Sequence, residues 1–348
     1  MNWHVVPAHQ FAAQSVRWQA LQAACGGHVL LHYDFVSPLL AHVGTGRELV
    51  AWHERDGRTT AMAIVSPAGR GSWTTFQPPQ APVGLWMQLP GQDIEQLMAG
   101  LMRALPGFPL VFAATQLDPM LLPRPAHTDS LRTLDYIDTA RVTISGTFDD
   151  YWSARGKNLR ANLKKQRARL AKEGIATRLA ISRDAADMAA AVEDYGRLES
   201  ASWKAACGTA VHAGNAQGRY YRAMFEALCR RGAARVFRYY FGEQLVAMDL
   251  CVEDGDSIVV LKTSYDESVP AGLSPALLMR EEACRRLFNE GRFRRIEFYG
   301  RVMDWHLRWT EEVRSMYHVN CYRWPGLCRL HTLLESRARS RQAAHPSP

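Results

Sequence analysis

The sequence predicts an α/β (α+β) protein of two domains, with mixed, mainly antiparallel sheets carrying helices on both faces. Three observations predict it. The chain has 348 residues, 47% of them apolar, which is material for two ordinary cores. Runs rich in β-formers alternate with amphipathic helical runs along the chain. Tight-turn signals at Asp56-Gly57, Phe241-Gly242 and Asp254-Gly255 separate strands that must then pair antiparallel.

Taken in order, "ELVAWHERDGRTTAMAIVSP" reads as a hairpin, and "GSWTTFQPPQAP" as a short strand ending in prolines. A helix is expected from about Asp93 to Ala104, followed by the strand "PLVFAA", the Pro-rich loop "DPMLLPRPAH" and the strand "TLDYIDTARVTIS". "TFDDYWSARGKNLRANLKKQRARLAKEG" reads as a pair of helices, with Asp149 or Asp150 as N-cap, Gly174 as the stop and Leu159, Leu163 and Leu170 as a narrow apolar stripe. After the strand "IATRLAIS", a helix from Asp184 to about Trp203 should bury Met188, Val192 and Tyr195, and Glu199 continues that face. A carboxylate there must pair with a cation, become neutral or face a cavity. "ARVFRYYFGEQLVAMDLCVEDGDSIVVLKTSYD" supplies three more strands. The phrases "AMAIV" at Ala61 and "AMDLCV" at Ala247 both follow a hairpin glycine, which suggests two related domains. The expected division is 1–147, 148–330 and a loose basic tail, 331–348.

Other function classes are excluded by what is missing. No cationic stretch leads into an apolar run at the start, and no apolar run reaches the roughly 20 residues that span a bilayer, so a cytoplasmic location is expected. Seven scattered cysteines lack any C-x-x-C pair, and twelve histidines show no ligand spacing, so neither a disulfide framework nor a metal is expected. The net charge of +8 is concentrated between Tyr151 and Arg178, where nine Lys or Arg face Glu173 alone. That stripe reads as a solvated helix face, because no aromatic residues interleave its charges within Lys157 to Lys172; nucleic acid is the alternative partner.

Two stretches point to chemistry. In "SIVVLKTSYDESVPAGLSPALLMREEACRRLF" a strand breaks over Ser, Pro and Gly and resumes as a helix at Leu273 or Ser274. Such a turn aims free N–H groups and a positive helix end at an anion, although neither a Walker loop nor a Rossmann fingerprint is present. The next strand, "RRIEFYG", sets Ile296 and Phe298 against Glu297 and Tyr299 on the opposite face. Asp304, Trp305, His306, Arg308 and Trp309 then crowd together as a cleft lining would.

From "RLESASWKAACGTAV" through "KTSYDESVPAGLSP" to "FYGRVMDWHLRW", the chain resembles the GNAT-superfamily acyltransferase domain associated with bacterial cellulose and other polysaccharide biosynthesis, itself related to Fem-type aminoacyl transferases. The resemblance covers most of Phe148 to Trp324 and implies tandem GNAT-like domains, the first degenerate. It implies acetyl-CoA or another acyl-CoA as co-substrate, with the pyrophosphate at the turn Glu267 to Pro275 and the pantetheine arm between the strands Ser257–Tyr265 and Arg295–Tyr299. Lys262, Thr263, Ser264, Gly272, Leu273, Ser274, Pro275 and Ala276 are then the cofactor-binding candidates, and Trp203, Lys204, Asp249 and Trp309 the substrate-binding ones. Ala276 stands where the family usually has glycine, and His306 where it often has lysine.

The reaction implied is direct attack of an amine, or a hydroxyl, on the thioester. Glu297, Asp304, Glu199 and His306 are candidate bases, backbone N–H groups near Lys262 to Ser264 are oxyanion donors, and Tyr265 is the acid for the thiolate. The acceptor is a small molecule, glycan or peptide of polysaccharide or cell-envelope biosynthesis. Two alternatives stand beside it: a Fem-like transferase using aminoacyl-tRNA, and a catalytically degenerate scaffold.

Overall fold

The computed structural model describes residues 2–200, 211–212 and 214–344, with 335–344 described by backbone alone. Its elements run β1 (Asn2–Pro7), α1 (Ser15–Ala24), α2 (Tyr33–Val43), β2 (Leu49–Arg55), β3 (Arg58–Gly69), β4 (Ser72–Thr75), β5 (Trp86–Gln88), α3 (Ile94–Ala104), β6 (Val111–Leu117) and β7 (Leu131–Thr143). They continue α4 (Phe148–Ser153), α5 (Lys157–Lys172), β8 (Thr177–Ser182), α6 (Met188–Ser200), α7 (Ala216–Arg230), β9 (Ala234–Phe241), β10 (Gln244–Asp254) and β11 (Ser257–Tyr265). The last are α8 (Pro275–Glu290), β12 (Arg295–Phe298), α9 (Asp304–Leu307), β13 (Val313–Tyr322) and α10 (Pro325–Ala344). No helix among the described residues is long and apolar enough to cross a membrane.

The chain forms two compact units: 1–33, 44–137 and 315–348 in the first, 34–43 and 138–314 in the second. The first unit orders its strands β1-β2-β3-β4-β6-β13, with β5 on β3. The second orders them β8-β9-β10-β11-β12-β7. Each has a run of antiparallel neighbours and then one parallel step, β4 to β6 across helix α3 and β11 to β12 across helix α8. The two halves therefore share one plan, as the repeated phrases suggested.

The expected division at 147 and 330 is corrected in three places. Strand β13 completes the first unit, because Tyr317 to Tyr322 pair with β6 and Tyr317, Val319 and Cys321 bury in its core. From Asp138 onward β7 belongs to the second unit, where Ala140 to Thr143 pair with β12. Residues 34–43 also join the second unit: the fully buried Phe35 meets the edge of Tyr220, and Asp34 lies 3.6 Å from Arg231. The expected loose tail at 331–348 continues α10 as far as Ala344.

In the second unit, α5 packs on the core through Leu159, Leu163 and Leu170, the predicted stripe, with Gln166 added to it. Its partner α4 is capped by Thr147, not by Asp149 or Asp150. The Thr147 hydroxyl accepts the Asp150 N–H, and the Asp150 carboxylate accepts back from Thr147.

Candidate active site

Strands β11 and β12 pair in parallel only from Ser257–Arg295 to Val260–Phe298. Beyond Val260, β11 continues along β10 to Tyr265 while β12 has ended, so a gap opens between them. The register between β10 and β11 also slips at Leu261, a β-bulge that leaves this residue outside the ladder. A cavity of about 660 Å³ fills the gap, walled by Val260 to Thr263, Phe298, Trp305, His306 and Trp309, and by the turn residues up to Leu277.

The turn is narrower as an anion cradle than expected. The helix begins at Pro275, which has no N–H. The Ser274 N–H is taken by Gln166 Oε1 at 2.7 Å, and those of Leu277 and Leu278 return to the Ser274 carbonyl. Leu273, Ser274, Pro275 and Ala276 line the cavity, whereas Gly272 and Ser264 are not part of its wall. Gly272 has a positive φ of 92°, and the neighbouring Ala271 carbonyl accepts from Arg169.

The expected bases separate. Glu297 is buried on the face of β12 away from the cavity and pairs with Arg314 at 2.7 Å. Asp304 is exposed and lines none of it. Neither is placed to take a proton from a substrate in the gap. Glu199 is buried one contact behind the wall: its carboxylate accepts from Lys262 Nζ at 3.1 Å and from the Val211 N–H at 2.7 Å. Lys262 itself lines the cavity, 5.6 Å and 5.7 Å from the ring centres of Tyr195 and Tyr221. The cation that Glu199 pairs with is thus a lysine.

His306 lines the cavity but is not built as a base. Its Nδ1 accepts the Met303 N–H at 3.0 Å, and the ring stacks on Trp305. Burial, then the charge of Arg280, pulls its pKa down to about 4. The neutral ring therefore carries its proton on Nε2 and is a donor at neutral pH. Tyr265, 45% exposed, stands in the wall at the turn end of β11, four residues beyond the Leu261 bulge and away from the closed end of the gap. Trp309 is a buried wall residue stacked on Trp152. Trp203 and Lys204 lie outside the described residues.

Asp249 is fully buried and does not face the cavity directly. It accepts from Thr263 at 2.6 Å and pairs with Arg280 at 2.7 Å. Burial raises its carboxyl despite that arginine. Arg280, a wall residue under Phe298 and Trp305, was missed in the sequence. Its signal is spacing: Arg280, Cys284 and Leu287 share one buried helix face. Asp266 and Glu267 in the turn also reach the wall.

A second hollow of about 470 Å³ lies on α5, lined by Trp152, Lys157, Arg160, Lys164, Arg167 and Glu281. The aromatic residue absent from the helix is thus supplied by α4.

Residues 157–307 match the family model described as an acetyltransferase (GNAT) domain. Among solved structures, the C-terminal domain of a protein assigned as a lysylphosphatidylglycerol synthetase from Agrobacterium fabrum is similar, with 14% identity, a TM-score of 0.54, and coverage of 89% of this chain and 92% of that one. FemX is similar at 11% identity and TM-score 0.54, with coverage of 96% and 100%. A conserved protein of unknown function from Bacteroides thetaiotaomicron aligns at 9% identity and TM-score 0.52, covering 92% and 99%. No curated protein sequence matches significantly. Residues 157–307 thus form a GNAT-type acyltransferase domain, and the solved structures share the chain's mixed α/β fold.

Proposed function

We propose that the protein transfers an acyl group from acyl-CoA, acetyl-CoA being the simplest, to an amine or hydroxyl acceptor by direct attack. The observation that carries this reading is the open gap beyond Val260 and Phe298, which ends at a βα turn. About five residues of β11 border it, roughly 17 Å at the usual strand rise, enough for an extended pantetheine arm. The pyrophosphate would lie at Leu273 to Ala276, and the thioester near the Leu261 bulge. Glu199, acting beside Lys262, takes the proton of the attacking amine. The acceptor belongs to polysaccharide or cell-envelope synthesis in the cytoplasm.

The test is thermal unfolding of the full chain with CoA, acetyl-CoA, longer acyl-CoAs and aminoacyl-tRNA. A ligand at a hundred times its Kd adds about 2.7 kcal/mol, so a Tm rise of a few degrees with acyl-CoA is expected. No rise with any acyl-CoA would overturn the reading.

A second reading, an aminoacyl-tRNA donor, is favoured by the hollow on α5, where Lys157, Arg160 and Lys164 share one helix face beside Trp152. It predicts salt-sensitive binding of tRNA and a Tm rise with it alone.

A further inference from the structure

We propose that His306 is a catalytic residue that donates its Nε2–H to the acyl carbonyl oxygen of the donor. This rests on the acyltransfer reading above and assigns the oxyanion a side-chain donor in addition to the backbone at the bulge.

Position comes first. If the anionic end of the donor lies at the turn, the reacting end lies at the opposite limit of the gap, where Val260 and Phe298 form their last pair. His306 packs against Phe298 there, with ring centres 5.3 Å apart, and lines the same cavity. Orientation comes second. The Met303 N–H occupies Nδ1, and the stack on Trp305 holds the ring plane, so the remaining nitrogen must be the protonated one. Nε2 has no hydrogen-bond partner among the described residues. Competition comes third. Arg280 on α8 is the charged group that faces His306, and its guanidinium is engaged by Asp249 and Thr263. That leaves the imidazole as an uncommitted donor at this end, alongside the Trp309 indole N–H of the same wall, which also has no hydrogen-bond partner among the described residues.

In the step assigned, the amine nitrogen forms a bond to the carbonyl carbon and the π pair moves onto oxygen, where the His306 hydrogen bond strengthens. The pair then returns, the C–S bond breaks and the thiolate leaves. The Nε2 proton stays on the ring throughout, and the amine proton departs by a separate group.

The experiment uses the full chain with ¹⁵N-labelled histidine, titrated with acetyl-CoA, CoA and S-ethyl-CoA, a thioether without the carbonyl. The expected result is an Nε2–H resonance of His306 in the free protein that moves downfield with acetyl-CoA and stays in place with S-ethyl-CoA. Acetyl-CoA should also bind about tenfold more tightly than S-ethyl-CoA, and this preference should vanish in His306→Phe and persist in part in His306→Gln, which keeps a donor. A His306 proton on Nδ1, or equal responses to the thioester and thioether, would overturn the assignment while leaving the donor reading intact. Absence of binding by all three compounds overturns the donor reading and this assignment with it.

Discussion

At the scale of single residues, burial and pairing decide which carboxylates belong to the chemistry. Glu297→Gln should leave turnover near normal, because the side chain faces Arg314 and not the gap. It should instead lower stability by about 3 kcal/mol, the usual cost of stranding one partner of a buried ion pair, read from urea unfolding. Glu199→Gln should do the reverse and slow turnover by about 100-fold, the normal reach of a general base, under conditions where the variant is folded. A normal rate in that variant would remove Glu199 from the mechanism. The buried face containing Glu199 was readable from helical spacing, and so was its need for a partner. That Glu297 faces away was not readable, since alternation along a four-residue strand tells two faces apart without telling which one meets the cavity.

At the scale of elements, the two halves use one plan and finish it differently. In the first unit the place beyond β4 is filled by the chain itself. The Gly84 N–H reaches the Gln116 carbonyl on β6, the Leu85 carbonyl accepts the Ile64 N–H of β3, and β5 then pairs with β3. Gly84 is required by this close approach: a Cβ there would sit 1.9 Å from the Thr115 carbonyl oxygen. Gly84→Ala should therefore cost about 1–3 kcal/mol, seen as a lower denaturant midpoint at unchanged slope. The helix start that matches α8 is also occupied, since the Asp93 carboxylate accepts the N–H groups of Glu95 and Gln96. Ser274 makes no such side-chain cap at α8. The plug was not legible in the sequence, because "FQPPQAPVGLW" carries no periodic pattern and its place depends on strands far away in the chain. At the α8 turn, Ala276→Gly should tighten acyl-CoA binding if a phosphate approaches there, which calorimetry can measure.

For the whole molecule, protonation sets the acid limit. Burial pushes the carboxyls of Glu48, Asp256, Glu290 and Glu312 upward, but several hydrogen bonds and nearby charges, led by Thr45, Ser257, Arg235 and Thr143 respectively, together outweigh it and hold them below their usual range. Their contribution is complete above the unfolded values near 4 and is lost as pH falls through the lower folded ones. His306 acts earlier. With a folded pKa of about 4 against about 6.5 unfolded, its share is complete above 6.5 and declines toward 4, because the unfolded chain binds the proton first. Burial holds His53 and His318 below their usual range as well, so Tm should fall in two stages on acidification, and His306→Gln should make the first shallower without removing it. The two-domain α/β plan was legible from turn signals and alternation. The chain path between the halves was not, since residues such as Tyr317 and Ala140 show strand propensity without stating which sheet they complete.

That path has a consequence for synthesis. The first unit's sheet is completed by β13, roughly 200 residues after β6. At typical ribosomal speeds the N-terminal half waits about 10–40 s for its last strand, with the edge of β6 unpaired. A nascent chain of this protein is thus exposed to chaperones and misassembly longer than two consecutive domains would be. Stop codons placed before Val313 should yield aggregated first units even though most of their sequence is present.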